Sequence, residues 1–229
     1  NISNKMTYMQ SNKILFSGFM LLCALFLFSC KKEKNNSPDG GRGVTDIDGN
    51  RYDTITIGTK VWMTENLKTT KYNDGTPIPT GLSDDAWRTT KTGAYSIYDN
   101  NAANDATYGK LYNWYAVNSG KLAPKGWHVA TEKDWAELGG GGELKATTGW
   151  NSPNTGATNS KGFSALPGGT RGWGGPYHGK GTNAYFWTLQ EYLPPSDYAW
   201  YLVLFHDQAV SYKTSVYKMQ GMSVRCVED

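Results

Sequence analysis

Residues 198–205 read "YAWYLVLF", eight apolar or aromatic side chains in succession. A run of this length is too short for a typical helix. Lacking polar alternation, it fits a strand covered on both faces at the centre of a sheet. The next three residues, "HDQ" (206–208), turn the chain, and "AVSY" (209–212) returns it as the following strand. Further on, "GMSVRCVED" (221–229) is expected to close the domain. Side chains alternate across a strand, so Met222, Val224 and Cys226 share one face while Ser223, Arg225 and Val227 take the other. This pattern predicts Cys226 as a buried, inert thiol. It predicts Arg225 as a clasp, hydrogen-bonded to nearby carbonyls or a carboxylate.

Working upstream, "VTDIDGNRYDTITIGTKVWMTENL" (44–67) predicts strands joined by tight turns, one at Asp48-Gly49-Asn50 and the next at Gly58-Thr59. In "TYGKLYNWYAV" (107–117), Leu111, Trp114 and Tyr115 recur at helical spacing. "ATEKDWAELGG" (130–140) offers Thr131 as an N-cap, Asp134 three residues later to reach back to a free N–H, and Gly139 as the stop. Residues 139–183 are rich in glycine and lack periodicity, which predicts long loops with short strands such as "GFSAL" (162–166). The expectation is an irregular α+β domain of short strands, two main helices and long loops.

The 229 residues are 14% aromatic and 19% charged, with nine Trp and 27 Gly, a composition that suits one globular domain. Lys and Arg outnumber Asp and Glu by only 23 to 20 and form no cluster beyond the N-terminal region, so nucleic acid is not an expected partner. The first thirty residues differ from the rest: Lys13 precedes an apolar stretch from Ile14 to Phe28, then Ser29 and Cys30. This is an export signal rather than a membrane span, because the stretch is shorter than the roughly 20 residues a span needs. Leu27-Phe28-Ser29-Cys30 resembles a bacterial lipobox, which implies cleavage before Cys30 and lipid attachment to it. Several acyl chains at one site hold a protein firmly on a membrane without spanning it. Met6 or Met9 is the expected start. Residues 1–29 are thus expected to be a signal peptide, 30–43 a lipidated flexible tether, and 44–229 the folded domain. Removal of the leader takes away Lys5 and Lys13, leaving 21 basic against 20 acidic residues. Cys23 would leave with the signal and Cys30 would carry lipid, so Cys226 has no intramolecular disulfide partner.

Asp46, Asp48 and Asn50 occupy the first, third and fifth positions of a calcium loop, but Arg51 stands at the turn-glycine position and Ile57 at the bidentate-glutamate position. A hairpin turn is the expected reading. His128, His178 and His206 lack metal-ligand spacing, and no metal or other cofactor is expected. "GGTRGWGG" (168–175) lacks the lysine and hydroxyl residue of a phosphate loop and reads as an aromatic loop. No GxSxG is present, so catalysis has no positive signal. The remaining candidates are aromatic and polar: Trp173, Tyr177 and His178 in "WGGPYHGKG" (173–181), and Tyr192 in "YLPPSDYAW" (192–200), which also holds Tyr198. Such rings beside hydrogen-bonding groups suit sugars or partner loops, although covering the core of a loop-rich domain is the commoner role of large aromatic side chains.

The segments "DIDGNRYDTITIGTKVWMTENLKTTKYNDGTPI" (46–78), "GKLYNWYAV" (109–117), "APKGWHVATEKDWAEL" (123–138), "GFSALPGGTR" (162–171) and "SVRCVED" (223–229) resemble, in order, the successive motifs of the Fibrobacter succinogenes major paralogous domain. On this resemblance Trp127, Thr131, Trp135, Arg225 and Cys226 are signature positions of structural role. The family in turn resembles the C-type-lectin-like fold in the branch of the formylglycine-generating sulfatase-modifying enzymes, which implies an α+β domain with its ends close together. Those enzymes use a pair of cysteines upstream of the closing strand, and "YKTSVYKMQ" (212–220) contains none. "WNSPN" (150–154) only superficially echoes a calcium-dependent sugar loop, lacking its carboxylates.

The expected function is that of a non-enzymatic, lipid-anchored protein of the bacterial outer membrane. Its lectin-like domain would bind a glycan or an envelope protein, on either the periplasmic or the outer face. An enzyme using Cys226 and a purely structural envelope component are the alternatives.

Overall fold

The computed structural model describes residues 43–229. The expected leader at 1–29 and all but the last residue of the expected tether at 30–43, Cys30 included, lie outside the described residues. Asp46 folds the first hairpin, β1 (Val44–Thr45) with β2 (Arg51–Tyr52). Its Oδ1 accepts the N–H groups of Asp48 and Asn50, and its Oδ2 accepts from the Tyr52 hydroxyl at 2.6 Å. An aspartate satisfying backbone donors in this way is a turn device. The second hairpin, β3 (Thr54–Ile57) with β4 (Lys60–Met63), turns at Gly58-Thr59 as expected.

The middle of the chain is less regular than its spacing predicts. It runs α1 (Asp84–Thr89), β5 (Tyr95–Ser96), a 3-10 turn at Tyr98–Asn100, α2 (Ala103–Tyr108), β6 (Leu111–Tyr112) and α3 (Trp114–Val117). The helix expected across 107–117 is broken: its first two residues end α2, Leu111 pairs with Ser96 in a two-stranded sheet, and only the last four form α3. The cause is Asn113, fully buried, whose Oδ1 accepts from Ala94 N–H and Ala116 N–H while its Nδ2 donates to Thr92 O. Asparagine bonded to the backbone in this way starts a helix rather than continuing one. Gly109, at φ +70, ends α2; a Cβ there would lie 2.8 Å from Leu67 O.

After β7 (Trp127–Val129), α4 (Glu132–Leu138) starts in the expected capping box. Thr131 accepts from Asp134 N–H, Asp134 accepts from Thr131 N–H, and Gly139 at φ +54 stops the helix. Four α-helices of four to seven residues therefore replace the two main helices expected among the described residues. The glycine-rich stretch forms β8 (Gly168–Arg171) and β9 (Tyr177–Lys180). "GFSAL" makes only a single bridge, Ala165 with Lys145, and "GGTR", expected in a loop, is the buried strand β8. Lys145, itself fully buried, donates to Phe205 O and Gln208 O and so ties this irregular region to the next sheet.

The long strands are β10 (Asn183–Glu191), β11 (Tyr198–Phe205) and β12 (Ser211–Tyr217), an antiparallel meander in a five-stranded sheet ordered β12-β11-β10-β8-β9. "YAWYLVLF" is the whole of β11, flanked on both sides, although β10 holds the middle place. The chain closes with β13 (Cys226–Glu228), shorter than the expected closing segment, inserted between β4 and β7 in a four-stranded sheet.

Alternation assigns the two sides of both sheets to two cores. Trp187 and Ala199 with Met63, Val129, Met222, Val224 and Cys226 belong to one. Phe186, Leu202, Leu204, Trp62 and Val227, joined by Trp135 of α4 and Phe163, make the other. The result is an α+β domain, dominated by strands, whose second hairpin meets its last strand.

Candidate functional site

Arg225 is enclosed, 1% exposed, with its guanidinium 4.4 Å from the Phe163 ring and 5.7 Å from that of Phe186. Nε donates to Asn66 Oδ1, one terminal nitrogen to Met63 O and Phe163 O, and the other to Ser164 O. Three backbone carbonyls and an amide therefore receive the fork. Among the described residues no carboxylate hydrogen-bonds to Arg225, and burial lowers the pKa of its guanidinium. Cys226 is fully buried, and burial pushes its thiol well above the ordinary range. A thiol so placed is neither reachable nor a thiolate at ordinary pH.

Thr131 and Asp134 close the second structural knot. Asp134, 1% exposed, meets Lys60 through Oδ1, while its Oδ2 lies 3.0 Å from His128 Nε2. Burial would raise the Asp134 carboxyl, but bonds from Lys60, Thr131 and His128 outweigh it and bring it down to about 2. His128 Nδ1 in turn lies 2.8 Å from Asp229 Oδ1, tying α4 to the residue after β13. Trp135 is buried, its Nε1 donating to Trp187 O, and Trp127 is half-buried against the first core. Trp127, Thr131, Trp135, Arg225 and Cys226 are thus all packed or hydrogen-bonded within the fold.

Asp48, in the calcium-like spacing, is also occupied: Oδ2 accepts from Thr70 N–H and Oγ, and Oδ1 pairs with Lys71 at 3.1 Å. Trp150 and Asn154 of "WNSPN" donate to Ala165 O and Ala146 O, so both belong to the loop framework. The histidines do not meet: His206 lies against Ser152 O, and His178 stands exposed on β9.

The aromatic candidates divide into two places. Tyr177 packs on Tyr98 at 5.2 Å and donates its hydroxyl to Asn100 Oδ1, next to the buried Arg171, whose guanidinium lies 4.4 Å from the Trp87 ring. Trp173, 45% exposed in the β8–β9 loop, instead meets Tyr217 at 5.3 Å, and Tyr217 meets Tyr198 at 4.4 Å. Tyr192, at the β10–β11 turn, lies edge-on to Trp200 at 4.9 Å. Tyr198 and Trp200 are two apart on β11 and so share a face. Trp173, Tyr217, Tyr198, Trp200 and Tyr192 therefore form a row on the outer part of the five-stranded sheet. Lys213 Nζ stands 4.5 Å from the Trp200 ring and pairs with Glu132, while Leu193 beside Tyr192 is 72% exposed. Lysine over indole is a favourable cation–π pair.

Trp200 does not stand out in the sequence because β11 reads as covered along its whole length, and Tyr217 and Lys213 join it only through the β11–β12 register. The signal in β11 lies in the order of residue types: the aromatic half, Tyr198 and Trp200, is half-buried, whereas Leu202 and Leu204 on the same face are buried.

A family model described as the Fibrobacter succinogenes major domain matches residues 55–228. The chain belongs to that family. In this member of the Fibrobacter succinogenes major domain the match runs from β3 to β13, leaving the β1–β2 hairpin outside, and includes both structural knots and the aromatic row. Comparison with curated proteins and with solved structures finds no match.

Proposed function

We propose that this Fibrobacter succinogenes major domain belongs to a lipid-anchored outer-membrane protein and is a C-type-lectin-like, non-catalytic module that binds a glycan. The observation that carries the reading is the row Trp173, Tyr217, Tyr198, Trp200 and Tyr192, in which Trp173, Tyr217 and Tyr198 form one contacting group and Trp200 and Tyr192 another on the same face of β11, beside one half-exposed lysine. Aromatic rings offer flat apolar area with little conformational freedom to lose, and nearby hydroxyls and charges can meet sugar hydroxyls. The lectin-like assignment is supported by the junction of the second hairpin and the last strand at β4-β13 and by the long glycine-rich connections. Anchoring is supported by the apolar stretch ending at Ser29-Cys30. The reading rests on fold analogy for its lectin part and on the row for its ligand part.

A glycan array probed with the purified protein tests the binding. The expected outcome is retention of a defined saccharide set by the wild type and its loss in Trp200→Ala, with the unfolding midpoint nearly unchanged. Equal retention by both proteins would remove the row from the function. Mass analysis of the N-terminus and protease shaving of intact cells test the lipid at Cys30 and the face of the membrane.

A further inference from the structure

β12 ends the five-stranded sheet, and among the described residues no strand pairs with its outer side. It has seven residues, whereas β9, β3 and β7, the other ends of the two larger sheets, have four, four and three. Edge strands are ordinarily kept from pairing by shortness, a proline, a bulge or a charge held over the rim. β12 has none of these. Its register with β11 is unbroken from Ser211 to Tyr217, and it contains no proline. Its one charged residue, Lys213, is drawn back over the Trp200 ring at 4.5 Å and pairs with Glu132, across its own sheet rather than past the rim. We propose that β12 is a self-association edge, through which two copies of this chain join their sheets about a two-fold axis at Ser215.

The direction of the backbone bonds shows which groups are open. Lys218 N–H donates to Asp197 O, toward the β11 side. Alternation along the strand then turns Val216, Thr214 and Tyr212 to β11 and leaves the N–H groups of Lys213, Ser215 and Tyr217 on the outer side. Ahead of β12 the same alternation places Ala209 O outward, where Gly142 N–H donates to it, and Ser211 Oγ donates to Gly140 O. The segment 140–142 therefore covers the start of the edge. The open stretch runs from Lys213 to Tyr217, beside the exposed side chains of Tyr212 and Thr214.

A second copy fits this stretch. An antiparallel strand paired with itself turns about one residue, and a centre at Ser215 uses the whole of the open edge. Ser215 then meets its own counterpart and Lys213 meets the partner's Tyr217, outward residue to outward residue, so every open N–H reaches a carbonyl. Lysine beside a phenol ring is favourable. Thr214 falls opposite the partner's Val216, two β-branched side chains suited to cross-strand packing. No like charges face each other, whereas a centre at Lys213 would oppose two lysines. The contact is isologous, the same patch serving both copies. Its axis stands perpendicular to the sheet, so the aromatic rows of both copies lie on one face.

Sedimentation equilibrium of the full-length protein in detergent, across a concentration series, tests the edge. A monomer–dimer equilibrium is expected, at least about tenfold weaker in Ser215→Pro. Proline there removes only an outward N–H, so the urea midpoint of the monomer should barely move, whereas Thr214→Pro loses a bond to β11 and should unfold more easily. Ser215→Lys sets two ammonium groups face to face on the axis and should weaken the dimer similarly without touching the backbone. A short bifunctional thiol reagent should join Ser215→Cys to its counterpart beyond the wild-type background, and should not join Thr56→Cys, exposed on the edge strand β3. A monomer at every concentration would overturn the proposal and leave the edge to an extended segment of another protein. A dimer of wild-type affinity in both Ser215→Pro and Ser215→Lys, or equal cross-linking at position 56, would overturn it as well. So would a Ser215→Pro chain less stable than Thr214→Pro, since the Ser215 N–H would then belong to the fold.

Discussion

Around Arg225 the chain encloses a cation and gives its fork carbonyl and amide acceptors, whereas around Trp200 it leaves aromatic rings half open and a lysine reaching over them into solvent. Both regions combine a cation with aromatic rings, so residue type alone does not separate core from site. Enclosure does. At Arg225 the rings of Phe163 and Phe186 are themselves buried on every side, and the neighbouring Cys226 has no route to solvent. At Trp200 the sheet continues past the second core, and the same face that carries Leu202 and Leu204 inward emerges as Trp200 and Tyr198.

The largest effect that would break this contrast is at the enclosed cation. Arg225→Leu removes the donors to three carbonyls and to Asn66, and each buried acceptor left unmet costs about 1–3 kcal/mol. A loss of at least about 3 kcal/mol is expected in urea unfolding; a variant as stable as the wild type would mean that water can enter, and that the clasp is not closed. Cys226→Ser comes next, placing a hydroxyl in an apolar cluster at about 1–3 kcal/mol. The companion measurement is thiol labelling followed by peptide mass analysis. Cys226 should react only after denaturant is added, and fast labelling of the folded protein would revive the reading in which it is a nucleophile.

Thr131→Ala should cost about 1 kcal/mol through loss of the cap of α4. The same knot can be read through pH. The Asp134 carboxyl lies at about 2 in the folded protein against an ordinary 3.8, so its contribution is fully present above the ordinary value and disappears as pH falls through about 2. Urea midpoints should therefore decline between about pH 4 and pH 2, and Asp134→Asn should flatten part of that decline. An undiminished decline in the variant would assign it to other carboxylates. The smallest stability effect is expected at the other pole. Trp200→Ala should shift unfolding by no more than about 1 kcal/mol, as for an exposed pair of rings and a cation, while removing saccharide retention.

Local signals carried much of the fold. The Thr131/Asp134 box, the Gly58-Thr59 and Asp48-Gly49-Asn50 turns and the uninterrupted run of β11 each depend on neighbours within a few residues, and each forms where the sequence places it. The errors arose where a distant partner decides. Leu111, Trp114 and Tyr115 have helical spacing, yet Asn113 is held by Thr92 and Ala94, some twenty residues away, and the helix begins only after it. "GGTR" carries no apolar pattern, and becomes a strand because β9 and β10 flank it. The candidate site was legible in part for the same reason. Trp173 and Tyr192 stand out as aromatic residues in polar loops, but Tyr217 joins them only through its register with Tyr198 across β11 and β12.

The place of β13 bears on how the domain is made. Residues 226–228 supply the strand between β4 and β7, so the pairing that joins the segment around residue 60 to that around 128 is absent until the end of the domain has emerged. Contacts between positions so far apart in sequence form late and slowly. The seam of that sheet is thus the last part to be made, and its completion waits on residues 226–228.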